Sequence, residues 1–167
     1  ILGSASCGLE IIENFPEIEV AIVPIGGGGL ISGISAALKQ IKPSIIVYGV
    51  EPEGADTMYQ SFQNDTPVKL DKVKTIADSL GPPMTMEYSF RIAQEFVDAI
   101  VRVKDDELIG ALKIMRDKLN LIVEPACGAS LAGLLGPLKE MVAGKAVSII
   151  ACGSNISFER YKNLVQK

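Results

Sequence analysis

The chain has 167 residues, enough for one domain with a sizeable core, and its 48% apolar and 22% charged content fits a globular rather than a membrane-embedded protein. Sixteen basic and twenty acidic residues give a net charge of −4 with no basic block, so nucleic-acid binding is not expected. There is no histidine, and Cys7, Cys127 and Cys152 are widely spaced without a C-x-x-C, which argues against zinc and disulfide frameworks and fits a reducing cytoplasm. Acid–base chemistry is thereby left to carboxylates, lysines, thiols or a cofactor. Apolar runs such as Val147 to Cys152 are far short of the ~20 residues of a spanning helix, and no charged leader precedes an apolar segment.

In chain order, Ser6 to Asn14 reads as the end of an amphipathic helix, with Leu9, Ile11 and Ile12 on its buried side. Val20 to Ile25 is a continuous apolar run stopped by Gly26, the pattern of a buried parallel strand. Leu30 to Ile41 is helical and Lys42-Pro43 ends it. Ile45 to Val50 is a second strand, followed by a short helix over Gly54 to Phe62 and polar loops over 63–73 and 78–85. Met86 to Phe96 is a helix leading into a strand over Ala99 to Val103. Asp105, Asp106 and Glu107 open the next helix, which runs to about Leu119 with its acids where the dipole favours them. A Gly/Ala-rich helix is expected over Pro125 to Glu140, a last strand over Val147 to Cys152, and a terminal helix from about Ser157. The alternation predicts an α/β domain of three layers around a mostly parallel twisted sheet.

The densest signal is Gly26-Gly27-Gly28-Gly29, between a buried strand and a helix. Four glycines in a row cost conformational entropy and belong where backbone turns tightly or approaches something closely. At a helix start their N–H groups form a concave anion site that the helix dipole reinforces. Neither the dinucleotide fingerprint nor a P-loop is completed, because the ribose-site spacing is missing and no Gly-Lys-Ser/Thr follows. A flexible tight turn is the other reading of the four glycines.

Val23-Pro24-Ile25-Gly26-Gly27-Gly28-Gly29-Leu30 resembles the phosphate-binding loop of fold-type II pyridoxal-phosphate enzymes, in the serine/threonine dehydratase and serine racemase branch. Val50-Glu51-Pro52 with Ala55-Asp56, Thr75-Ile76-Ala77-Asp78, Val123-Glu124-Pro125-Ala126 and Ala151-Cys152-Gly153-Ser154-Asn155-Ile156 are similar to further family segments, in the right order. The resemblance implies that Gly26, Gly27, Gly28, Gly29 and Leu30 hold the phosphate of pyridoxal 5'-phosphate. It places Cys152 against the pyridine nitrogen, Glu124 near the ring and Asn155 at its polar rim. Each has a plainer reading: Cys152 as a small buried core residue, Glu124 as a first-turn acid, Asn155 as a cap of the terminal helix. Cys127 reads as packing.

The resemblance also implies a cation site, with the Glu51 carboxylate and the main-chain oxygens of Ala55 and Leu80 as ligands. Thr57 stands where magnesium-dependent racemases carry an acid, which favours a monovalent ion; Glu51 reads equally as a cap of the helix expected at Gly54. The family's Schiff-base lysine segment and its Ser-x-Gly-Asn-His substrate loop are not found, and Gly3-Ser4-Ala5-Ser6 stands where relatives carry Gly-Gln-Gly-Thr. Residues 1–167 are therefore expected to be a cofactor-binding large domain lacking its lysine segment and small substrate domain, inactive alone. The implied parent reaction is dehydration of L-threonine or L-serine to a 2-oxo acid and ammonia. A serine racemase-like enzyme and a non-catalytic anion- or partner-binding fragment are the alternatives. A small amino acid is the expected partner of the intact enzyme, and the orphaned sheet edge points to a homo-oligomer.

Overall fold

The apolar run that begins at Val20 becomes a strand with partners on both sides. In the computed structural model, which describes residues 1–166, the strands are β1 (Val20–Pro24), β2 (Ile46–Pro52), β3 (Ala99–Val103) and β4 (Val147–Ile149). They form a sheet in the order β3-β2-β1-β4, and every pairing is parallel. All five residues of β1 are buried, as a strand flanked and covered on both faces requires.

The helices are α1 (Leu2–Asn14), α2 (Gly29–Ile41), α3 (Thr57–Asn64), α4 (Glu87–Phe96), α5 (Asp105–Leu119), α6 (Pro125–Leu135) and α7 (Phe158–Val165). Successive strand residues point to opposite faces, so the sheet divides the core in two. Ala21, Val23 and Val47 meet Ile31, Ile34 and Leu38 of α2 and Phe90 of α4, with α1 and α3 packed around them. Val20, Ile22, Tyr48 and Val50 turn the other way, onto Leu108, Leu112 and Met115 of α5, Ala129 of α6 and Tyr161 of α7. Each such Leu or Ile contributes ~1.5–3 kcal/mol of burial free energy. The result is the expected three-layer α/β arrangement, with a sheet that is parallel throughout.

Three local expectations need correction. Leu9 is exposed; the face of α1 that meets α2 runs through Gly8, Ile11, Ile12 and Phe15, about 100° away. At Gly8 the two backbones are so close that a Cβ would lie 2.9 Å from the Ile34 carbonyl oxygen. The sixth helix stops at Leu135 instead of Glu140, because Pro137 disfavours helical backbone at Gly136 and offers no N–H of its own. The last strand ends at Ile149; Ile150 still donates to the Ile22 carbonyl at 3.2 Å, after which the chain leaves the sheet. The β1–β4 register is fixed at its lower end by Glu19, whose carboxylate accepts from the Ala146 N–H at 2.9 Å across 127 positions of sequence.

Candidate functional site

Past its last residue, β1 turns into α2 on one face of the sheet, whereas β4 leads to α7 on the other. Where neighbouring parallel strands diverge to opposite faces, a crevice opens at their carboxyl ends. That crevice is a cleft of about 290 Å³ lined by Pro24, Gly26, Gly27, Gly28, Gly29, Leu30, Ser79, Leu80, Glu124, Ala126 and Cys152. The glycine loop thus faces Cys152 and Glu124, three segments distant in sequence.

The four glycines are not equivalent. Gly28 is the N-cap of α2 with φ 86°, a left-handed conformation that disfavours any side chain. A Cβ on Gly26 would stand 2.7 Å from the Ser79 carbonyl oxygen, so close packing excludes one. Gly27 and Gly29 are different. A Cβ on Gly27 would make only ordinary contact with Pro82 at 3.8 Å, and one on Gly29 would meet nothing within 4 Å. The chain's own packing therefore does not require their bareness, and both line the cleft. Bare backbone at the N-terminus of a 13-residue helix is the donor set a phosphate group takes. The residues present fit the phosphate of the cofactor that the sequence implied.

On the opposite wall Glu124 is the N-cap of α6, one position before the first turn in which its plainer reading placed it. Its N–H donates to the Gly153 carbonyl at 3.3 Å, and its carboxylate accepts from the Ser79 hydroxyl at 3.2 Å. Cys152 is exposed, which overturns its reading as a buried core residue. Cys127 is buried in the first turn of α6, where its sulfur accepts from the Gly153 N–H at 2.8 Å, lies 2.7 Å from the Gly153 carbonyl oxygen and 3.8 Å from the Cys152 sulfur. The hydrogen bond shared with Cys152 holds the Cys127 thiol below its ordinary value, and the Cys127 sulfur raises that of Cys152, which stays a neutral S–H. Asn155 does not cap the last helix; Ser157 does, accepting from the Arg160 N–H at 3.2 Å. Asn155 instead lines a hollow of about 140 Å³ with Ser79, Glu124 and the Asp78–Arg160 ion pair.

Glu51 and Ala55 are outside the cleft, whereas Leu80 lies on its wall beside Gly26. Glu51 is fully buried, its oxygens accepting from the N–H groups of Met58 at 2.9 Å and Tyr59 at 2.7 Å. It therefore caps α3, which begins at Thr57 and not at Gly54. Desolvation pushes its pKa up to about 8 against the pull of those two N–H groups. Among the described residues no cluster of three acidic or thiol side chains could hold a metal, and no lysine lines the cleft. Sequence reasoning missed Ser79, which lies one position past the Thr75–Asp78 segment, and the Cys127–Cys152 contact, which depends on how α6 meets the end of β4.

A parallel sheet with a glycine strand-to-helix turn at its switch point and a thiol opposite is the arrangement of an anion-holding cofactor domain. The chain belongs to the family of pyridoxal-phosphate dependent enzymes, whose sequence profile matches residues 1–153. It is 46% identical over 155 residues to phenylserine dehydratase of Ralstonia pickettii, covering 93% of this chain and 48% of that protein. The processed form of threonine deaminase isoform 2 from Solanum lycopersicum superposes with a TM-score of 0.93 at 32% identity, over 98% of this chain and 48% of that one. Maize serine racemase superposes with a TM-score of 0.90 at 33% identity, over 96% and 52%. The fold is that of fold-type II pyridoxal-phosphate enzymes, and the chain spans about half the length of these relatives. No helix among the described residues is long and apolar enough to cross a membrane.

Proposed function

We propose that residues 1–167 are the greater part of the cofactor-binding domain of a dehydratase that removes water from a small β-hydroxy amino acid and releases a 2-oxo acid and ammonia. The observation that carries this reading is the pair Gly27 and Gly29, bare toward the cleft without a packing reason. When bound, pyridoxal phosphate supplies an electron sink for the charge left at the substrate's α-carbon.

This chain's residues divide the remaining work. The N–H groups of Gly26 to Leu30 hold the phosphate at the positive end of α2. Cys152, kept neutral by its neighbour, offers the pyridine nitrogen a hydrogen bond without forcing a proton onto it. Such a neutral donor at Cys152 would keep a bound cofactor a weak acceptor of charge, which would suit loss of a β-hydroxyl better than amino transfer. Glu124, tied to Ser79, closes the wall beside the ring, with Asn155 at the rim. The lysine that would bond the cofactor belongs to the rest of the protein, as does the loop that takes the substrate carboxylate. Glu51, with the main-chain oxygens of Ala55 and Leu80, is the proposed seat of a monovalent cation. Free thiols at Cys7, Cys127 and Cys152 support a reducing, cytoplasmic setting, and the half-exposed edge strand β4 supports assembly with further copies.

A racemase is the second reading, because serine racemase superposes nearly as well as threonine deaminase does, at similar identity. Thr57, buried where an acid would serve a divalent ion, weighs against it. The test is to offer L-threonine, L-serine and phenylserine to the full-length protein carrying this chain and measure 2-oxo acid and ammonia. Equimolar release from at least one substrate is expected, and none from the 167-residue chain alone. Accumulation of the D-enantiomer without 2-oxo acid would transfer the assignment to a racemase, and absence of any bound cofactor would overturn both readings.

A further inference from the structure

Cys127 and Cys152 are 25 positions apart, yet their sulfurs stand 3.8 Å from each other. The two thiols differ in setting. Cys127 is fixed in the first turn of α6, fully buried on the α5–α7 side of the sheet. Cys152 is exposed and lies in the irregular stretch 150–157, beyond the last strand, between the backbone bonds of Ile150 to Ile22 and of Glu124 to Gly153. An S–S bond of ~2.05 Å needs an approach of less than ~2 Å, which that stretch can supply. Cys7, the remaining thiol of the chain, packs on the opposite face of the sheet and cannot compete.

We propose that Cys127 and Cys152 form a hydroperoxide-sensitive dithiol that closes to an intramolecular disulfide and draws the Cys152 sulfur off the cleft wall. The site is chemically prepared for it. The Gly153 N–H points at the Cys127 sulfur from 2.8 Å, and the helix N-terminus adds a second stabilisation of negative sulfur. The pair releases its first proton readily, since the remaining S–H bonds to the thiolate. In the first step the accessible Cys152 gives its S–H proton to the Cys127 thiolate as its sulfur attacks the hydroperoxide: an S–O bond forms, the O–O bond breaks, and the leaving alkoxide or hydroxide takes that proton from Cys127, which is again a thiolate. In the second, Cys127 as thiolate attacks the Cys152 sulfenic sulfur: the S–S bond forms, the S–O bond breaks, and hydroxide leaves as water. Two thiols and one hydroperoxide thus yield one disulfide, one alcohol (or water) and one water. A dithiol reverses the reaction.

The cross-link rests on the geometry of this chain alone, whereas its effect on the cofactor rests on the function proposed above. The full-length protein would be treated with hydrogen peroxide, alkylated and digested with trypsin, which places Cys127 in peptide 119–139 and Cys152 in peptide 146–160. A linked species of these two peptides, lighter by about 2 Da than their sum, is expected. It should vanish with dithiothreitol and in Cys127→Ser, and persist in Cys7→Ser. Both cysteines alkylated after oxidation, or Cys152 carried to the sulfinic acid without a link, would overturn the proposal. With cofactor bound, oxidation should lower turnover at least about tenfold in the natural protein, and dithiothreitol should restore it there but not in oxidised Cys127→Ser. A mapped link with undiminished turnover would refute the withdrawal of Cys152. A protein that never binds cofactor would refute the functional reading while the mapping still decides the link.

Discussion

Replacing Gly28 and Gly29 by alanine, one at a time, separates what the glycine loop does for folding from what it does for a ligand. At Gly28 the added methyl forces a left-handed residue, costing ~1–2 kcal/mol. It would also sit 2.6 Å from the Met58 terminal carbon and 3.0 Å from the Ser89 Cβ. The Met58 tip can swing aside but Ser89 is on a packed helix, so crowding adds ~1–2 kcal/mol, within the range for overpacked cores. Gly28→Ala should therefore lose ~2–4 kcal/mol of stability. Gly29 begins α2 with helical backbone and open space around its Cβ position, so Gly29→Ala should gain ~0.4–1 kcal/mol by restricting the unfolded chain. The same methyl projects into the cleft, so affinity for pyridoxal phosphate or inorganic phosphate should fall at least about tenfold, ~1.4 kcal/mol. Urea unfolding of the unliganded full-length proteins reads the first quantity and calorimetric titration the second. Gly29→Ala destabilised as much as Gly28→Ala would show the cleft geometry to be wrong. Gly29→Ala binding phosphate as well as the natural protein would refute the cradle.

Glu51 predicts a pH dependence. With no cation bound, folding raises its pKa to about 8 from an ordinary value of 4.5, so the cation-free folded chain holds a proton that the unfolded chain releases. The associated stability is complete below about pH 4.5 and is lost as the pH rises to about 8. Melting temperatures across that window should fall for the natural protein and stay level for Glu51→Gln; equal slopes would refute a desolvated carboxylate. Asp105 accepts from the Thr75 hydroxyl at 2.7 Å and the Ile76 N–H at 3.1 Å, tying the segment before Ser79 and Leu80 to α5. Asp105→Ala removes bonds worth ~1.5–3 kcal/mol, so amide exchange over 75–80 should accelerate about tenfold or more, and unchanged exchange would show that this tie does not hold the cleft wall.

The parts of this molecule legible in its sequence are those with local causes. A continuous apolar run bounded by glycine marked β1, and period and punctuation placed β3 at its observed ends. The glycine turn followed from chain entropy and helix-end electrostatics, but its place at the switch point depends on the strand order β3-β2-β1-β4, which the alternation of elements does not give. Other features depend on encounters between distant segments. Leu9 lost its expected burial because α1 and α2 approach through Gly8, a contact no single-helix pattern encodes. Cys152 resembles any small apolar residue at a strand end until β4 is seen to stop early and leave it exposed. The end of α6 was legible in Gly136-Pro137, and the apolar residues beyond it, Leu138 and Val142, obscured it by continuing a helical period while packing into the core from turns.

The pairing of β4 with β1 also orders events in time. Every other strand contact joins consecutive strands, 26 positions apart for β1–β2 and 51 for β2–β3, but the Glu19–Ala146 junction closes a loop of 127 positions. Its closure costs ~4 kcal/mol of chain entropy before any contact repays it, and so it belongs to the late part of folding. The glycine wall can form as soon as β1 and α2 dock. The Cys152 wall must wait for that last strand. A ligand gripped by both walls would thus bind only chains that have finished folding, draw the population toward them by mass action, and serve the cell as a seal of completed assembly.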